Sequence, residues 1–78
     1  MSTSHTTHYG PHVRVINNFD PFAGEDLTVE RKVGDTWERV YGTNSMSNDW
    51  AYTETARIAQ RTATQMALLE VEKARGAA

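Results

Sequence analysis

The chain has 78 residues, no cysteine, 38% hydrophobic and 23% charged residues, and a formal net charge of −2. That length leaves room for one small core, and the missing thiols remove disulfides, thiolate metal sites and cysteine nucleophiles together. The slight acidity argues against a general nucleic-acid binder, and no apolar run is long enough for a membrane span or a secretory signal, so a cytoplasmic protein is expected.

Charge is unevenly spread. Residues 20–54 carry eight carboxylates against three basic side chains, whereas residues 55–78 carry four basic side chains against two carboxylates. An acidic middle therefore precedes a mildly basic tail.

The N-terminal stretch SHTTHYGPH (residues 4–12) holds all three histidines. Three imidazoles can hold zinc if a helix brings them together, but Thr6, Thr7 and Gly10-Pro11 oppose a helix and no carboxylate stands near to orient a ligand. With Tyr9 as its main apolar anchor after Met1, residues 1–11 are expected to be a disordered leader in front of a single domain at 12–76. Neither a metal nor another cofactor is expected.

From His12 the pattern alternates: Val13, Val15 and Phe19 fall on one side of an extended segment, Arg14, Ile16 and Asn18 on the other. This predicts a first strand. The acidic DPFAGED stretch that follows contains Pro21 and Gly24 and reads as a loop.

LTVERKVGDTWERVYG reads as a hairpin around Gly34-Asp35, and charge selects its register. A two-residue loop, or a four-residue loop with the same pairs, sets Arg31 against Glu38 and Glu30 against Arg39. A three-residue loop would instead oppose Arg31 to Arg39, a like-charge pair. In the preferred register Leu27, Val29, Val33 and Val40 form the core face. The other face carries Thr28, Glu30, Lys32, Trp37, Arg39 and Tyr41.

A polar break, GTNSMSN, leads into a long helix starting at Ser47, Asn48 or Asp49 and running to about Ala74, with Gly76 as terminator. Acids sit near its start and Lys73 and Arg75 near its end, as the helix dipole favours. Its expected buried stripe is Ala51, Thr55, Ile58, Ala59, Thr62, Met66 and Leu69, flanked by Tyr52, Ala63 and Val71, with Trp50 packing at the entry. The expected architecture is α+β: a three-stranded antiparallel β-meander packed on one long C-terminal α-helix.

No motif for catalysis appears. There is no Gly-x-Ser-x-Gly elbow, the glycines at 24, 34 and 42 are isolated, and the carboxylates of Glu30 and Glu38 each face an arginine. Asp35 with Asp49 is the other carboxylate pair considered. The chain is therefore not expected to be an enzyme. The feature pointing to a partner is Trp37, Arg39 and Tyr41 on one side of a strand, since such residues are enriched at interface hot spots. Around them stand Glu30, Asp35 and Glu38 on the hairpin and Asp20, Glu25 and Asp26 on the preceding loop, an arrangement that steers toward a basic surface. These eight residues, without Arg39, are the expected partner-binding set. The competing reading is a nucleic-acid-binding accessory protein using Arg57, Arg61 and Arg75, but Glu54 and Glu72 share that helix face.

A cysteine-free chain of this size, with a short sheet HVRVINNF…LTVERKVGDTWERVYG followed by one helix SNDWAYTETARIAQRTATQMALLEVEKARG, resembles the small anti-CRISPR proteins of phages and mobile elements. The resemblance covers residues 12–76 in plan and size and carries over no functional residue. It implies a stoichiometric inhibitor in a bacterial host cytoplasm that binds a subunit of a CRISPR effector complex at a basic surface meant for target DNA, without contacting nucleic acid or membrane itself. Open sheet edges leave monomer and homodimer both open.

Overall fold

A computed structural model describes residues 4–18, 24–45 and 49–76. Its elements are β1 (His5–His8), β2 (Val13–Asn17), β3 (Leu27–Val33), β4 (Thr36–Thr43) and α1 (Asp49–Gly76). The strands form one antiparallel sheet in the order β1-β2-β3-β4. The chain is α+β, as expected, but the sheet has four strands rather than three.

The additional strand comes from the segment expected to be a leader. His5–His8 pairs antiparallel with β2 through the register His5↔Asn17, Thr6↔Ile16, Thr7↔Val15 and His8↔Arg14. Gly10 at φ +75° makes the return, and the Tyr9 amide donates to the Val13 carbonyl at 2.9 Å. Backbone pairing, not side-chain burial, holds β1: all four of its residues are exposed. Tyr9 is the exception nearby, half-buried against the core.

β2 shows the anticipated alternation. Val13, Val15 and Asn17 are buried, and Arg14 and Ile16 are half-buried on the opposite face. Phe19 lies outside the described residues.

The β3–β4 hairpin closes with Gly34 at φ +62°, the positive value that tight hairpin turns require of their first loop residue. Its first four pairs are those selected by charge: Val33↔Thr36, Lys32↔Trp37, Arg31↔Glu38 and Glu30↔Arg39. The register then shifts, and Val29 pairs with Tyr41 instead of Val40. Val40 is the extra residue of a β-bulge. Because side chains alternate with period two, one inserted residue reverses the faces of everything after it. Tyr41 therefore turns toward the core and packs against it, while Val40 is left 38% exposed. This corrects both expectations, Val40 inside and Tyr41 outside.

α1 packs on β2, β3 and β4, and its backbone stays away from β1. The core between helix and sheet is Val13, Val15, Leu27, Val29, Ala51 and Ala59. Its helix side is small, so the helix backbone lies close to the valines. Thr55 and Thr62 are also buried in the helix, and their hydroxyls donate to the carbonyls of Ala51 and Ile58 at 2.6 and 2.8 Å, which satisfies the polar atoms. The stripe has the expected period but not the expected length. Leu69 and Val71 are 48% and 52% exposed, because the helix, about 42 Å long at ~1.5 Å per residue, outruns the sheet beneath it. Tyr52 is also exposed, and Trp50, expected to pack at the helix entry, is 60% exposed.

Candidate functional site

With α1 covering one face of the sheet, the other is left uncovered among the described residues, and strand parity assigns its residues. Arg14 and Ile16 come from β2, Thr28, Glu30 and Lys32 from β3, and Trp37, Arg39 and Gly42 from β4. The Arg14 guanidinium reaches across β3 and lies 4.1 Å from the centre of the Trp37 ring. Its Nε donates to Glu30 Oε1 at 2.7 Å. Both members of that pair are largely shielded, with side chains 28% and 20% exposed. Glu30 therefore holds the cation, and the cation covers one side of the indole, a stacking contact that gains strength as it is desolvated.

A second pair borders this cluster. Arg39 donates to Glu25 through Nε at 3.0 Å and through its Nη2 group, making a two-pronged contact with both carboxylate oxygens. The hydrogen bonds from Arg39 hold the Glu25 carboxyl below the ordinary carboxylate range, and the same contact raises Arg39. The Glu25 carboxylate lies over Gly42, in the space a Cβ would occupy. A glycine at that position lets the loop side chain cross the strand.

The expected partner-binding residues thus separate into distinct places. Trp37, Glu30 and Glu25 belong to the uncovered face. Tyr41 does not, for the reason the bulge gives. Glu38 pairs with Arg31, whose Nη2 stands 3.2 Å from Glu38 Oε2, and both project on the helix side of the sheet beyond the core. Glu30 and Glu38 consequently point to opposite faces and form no acid–base dyad. Asp35 occupies the exposed hairpin tip without an ion pair among the described residues. Asp26 is 6% exposed, and its carboxylate accepts from the Ser45 amide at 2.7 Å and the Ser45 hydroxyl at 2.5 Å. Its backbone also joins the Asn18 amide and the Thr43 carbonyl. Asp26 is therefore a tie between the ends of β2, β3 and β4, not a surface contact. Asp20 lies outside the described residues.

These placements alter the electrostatic picture. On the uncovered face three cations, Arg14, Lys32 and Arg39, stand against two carboxylates, Glu25 and Glu30. Four carboxylates of the acidic middle, Glu25, Glu30, Glu38 and Glu54, are engaged by arginines, and the described residues form no negative patch on this face.

Sequence reasoning placed Arg14 on one side of the first strand and gave it no partner. The signal was available: Arg14 and Ile16 share a parity, and placing β2 beside β3 aligns Arg14 with Glu30. The arginine face of the helix is also internally engaged at one position, since Arg57 Nε donates to Glu54 Oε2 at 3.1 Å. The histidines do not converge. His5 and His8 point to opposite faces of β1, and no group of three potential metal ligands exists among the described residues. No helix among these residues is long and apolar enough to cross a membrane.

No protein-family model, curated protein or solved structure matches the chain.

Proposed function

We propose that this chain is a non-enzymatic protein-binding module that docks through the uncovered face of its sheet. The observation that carries this reading is the Glu30–Arg14–Trp37 stack. An indole and a guanidinium, the side chains most often found at interface hot spots, are held in fixed positions on a face that no described element covers. Holding them in advance lowers the entropy lost on binding.

The specific form of the proposal follows the resemblance in plan: inhibition of a bacterial CRISPR effector complex by occupying one of its subunits. Contact runs through the Trp37 ring and the two arginine–carboxylate pairs, with Asp35 at the rim, rather than through a broad negative field. The test is a titration of purified effector complexes of different types with the full chain, read together with recovery of phage plaquing in a strain that carries the bound type. The expected result is binding to one complex, weakened roughly 30-fold or more by Trp37→Ala, a hot-spot-sized loss. The Arg57→Glu, Arg61→Glu double variant should bind as wild type. Loss of binding in the double variant with Trp37→Ala unaffected would move the interface to the helix and overturn the reading.

A further inference from the structure

The two edges of the sheet are built differently. β4 carries the bulge at Val40, the charged side chains of Glu38 and Arg39, and the Glu25 carboxylate lying over Gly42. Bulges and charges are the usual means by which edge strands resist pairing with other chains. β1 has none of these: His5–His8 contains no Asp, Glu, Lys, Arg, Pro or bulge, and every residue is exposed.

The backbone of β1 also has a defined free side. Tyr9 bonds to Val13 across the turn, and hydrogen-bonded pairs alternate along an antiparallel ladder, so Thr7 and His5 direct their backbone groups to β2. Thr6 and His8 direct theirs away from the sheet. On the helix side, β1 opens onto a groove of about 240 Å³ whose walls include Thr7, Tyr52 and Ala56. Among the described residues the α1 backbone stays clear of β1 on that side, which leaves the strand edge open.

We infer that β1 pairs with β1 of a second copy about a two-fold axis, giving a continuous eight-stranded sheet. Of the registers that match the free backbone groups and the side-chain parity, the one that pairs both Thr6 and His8 within the two β1 strands sets Thr6 opposite His8 of the second copy, His8 opposite its Thr6, and Thr7 opposite Thr7 on the axis. The Thr6 and His8 groups then exchange hydrogen bonds in both directions. Both helices fall on the same side of the joined sheet, and no charged residue of β1 meets its like. A symmetric pairing of this kind is self-limiting, because it uses the one unprotected edge of each copy and leaves the two bulged edges outside.

Sedimentation equilibrium over a concentration series on the full chain measures the association, with the expected outcome a reversible monomer–dimer equilibrium. Thr6→Pro removes an amide that has no partner within one copy and suits an already extended edge position, so it should leave the fold intact by circular dichroism and abolish the dimer. The absence of cysteine makes a second readout specific. Thr7 residues facing one another in a non-hydrogen-bonded pair stand ~4.5 Å apart at Cα, so Thr7→Cys should form an intermolecular disulfide on mild oxidation, whereas Thr6→Cys, offset from its own copy, should not. A monomer at every concentration overturns the inference. So does a dimer that survives Thr6→Pro, or one that cross-links no better through Thr7→Cys than through Thr6→Cys.

Discussion

The two halves of α1 differ in burial although the same kind of residue recurs along both. In the first half Ala51, Thr55, Ala59 and Thr62 are buried against the sheet; beyond Met66 every described position is exposed, including Leu68, Leu69 and Val71. Periodicity chooses which face of a helix turns inward. The footprint of the partner layer chooses how much of that face is covered, and here the valine floor ends before the helix does.

Substitutions can break that contrast. The largest effect is expected from a charge placed in the seated half: Ala59→Asp puts a carboxylate at a fully buried site without a cation and should cost at least about 3 kcal/mol, whereas Ala67→Asp in the overhang should stay within about 0.5 kcal/mol. Urea denaturation of both variants measures the difference. A contrast of intermediate size lies in the sheet itself. Val29→Ala removes two methyl groups from a site of 0% exposure and should cost about 2–3 kcal/mol, while Val33→Ala, 44% exposed near the overhang, should cost less than about 0.5 kcal/mol.

The smallest effect concerns the surface Glu54–Arg57 pair on the seated half. Hydrogen bonds from Arg57 lower the Glu54 carboxyl in the folded chain. Stability from this pair is therefore present above the unfolded-state carboxylate pKa and is lost as pH falls through the lowered folded-state value. Because Arg57 is exposed and Glu54 only half-buried, water screens the pair, so Glu54→Gln should flatten the acid limb of the stability curve only slightly, a change followed by thermal melts from neutral to acid pH. A large shift would show that the seated half depends on surface charge as well as on its alanines.

The parts of this structure legible in the sequence are those in which side chains constrain the backbone. The opposed charges of Arg31 and Glu38 selected the hairpin register, and the alternation of Val13 and Val15 marked β2. β1 escaped because HTTH offers no apolar contact: it is a strand only through its pairing with β2, and two threonines between histidines look the same in a leader. The bulge at Val40 was equally silent, since VYG satisfies either face until the neighbouring strand is placed. The candidate site was half visible. Trp37 and Glu30 were identified on one face, but the arginine that joins them comes from a different strand, and Tyr41 was assigned by an alternation that the bulge had already reversed.

That single unpaired valine marks a place where β4 can lose a residue without turning a face. Deleting Val40 would leave Arg39 opposite Glu30 followed at once by Tyr41 opposite Val29, so ordinary alternation keeps Trp37 and Arg39 outside and Tyr41 against the core. What such a shortened strand gives up is the local kink that disturbs its edge.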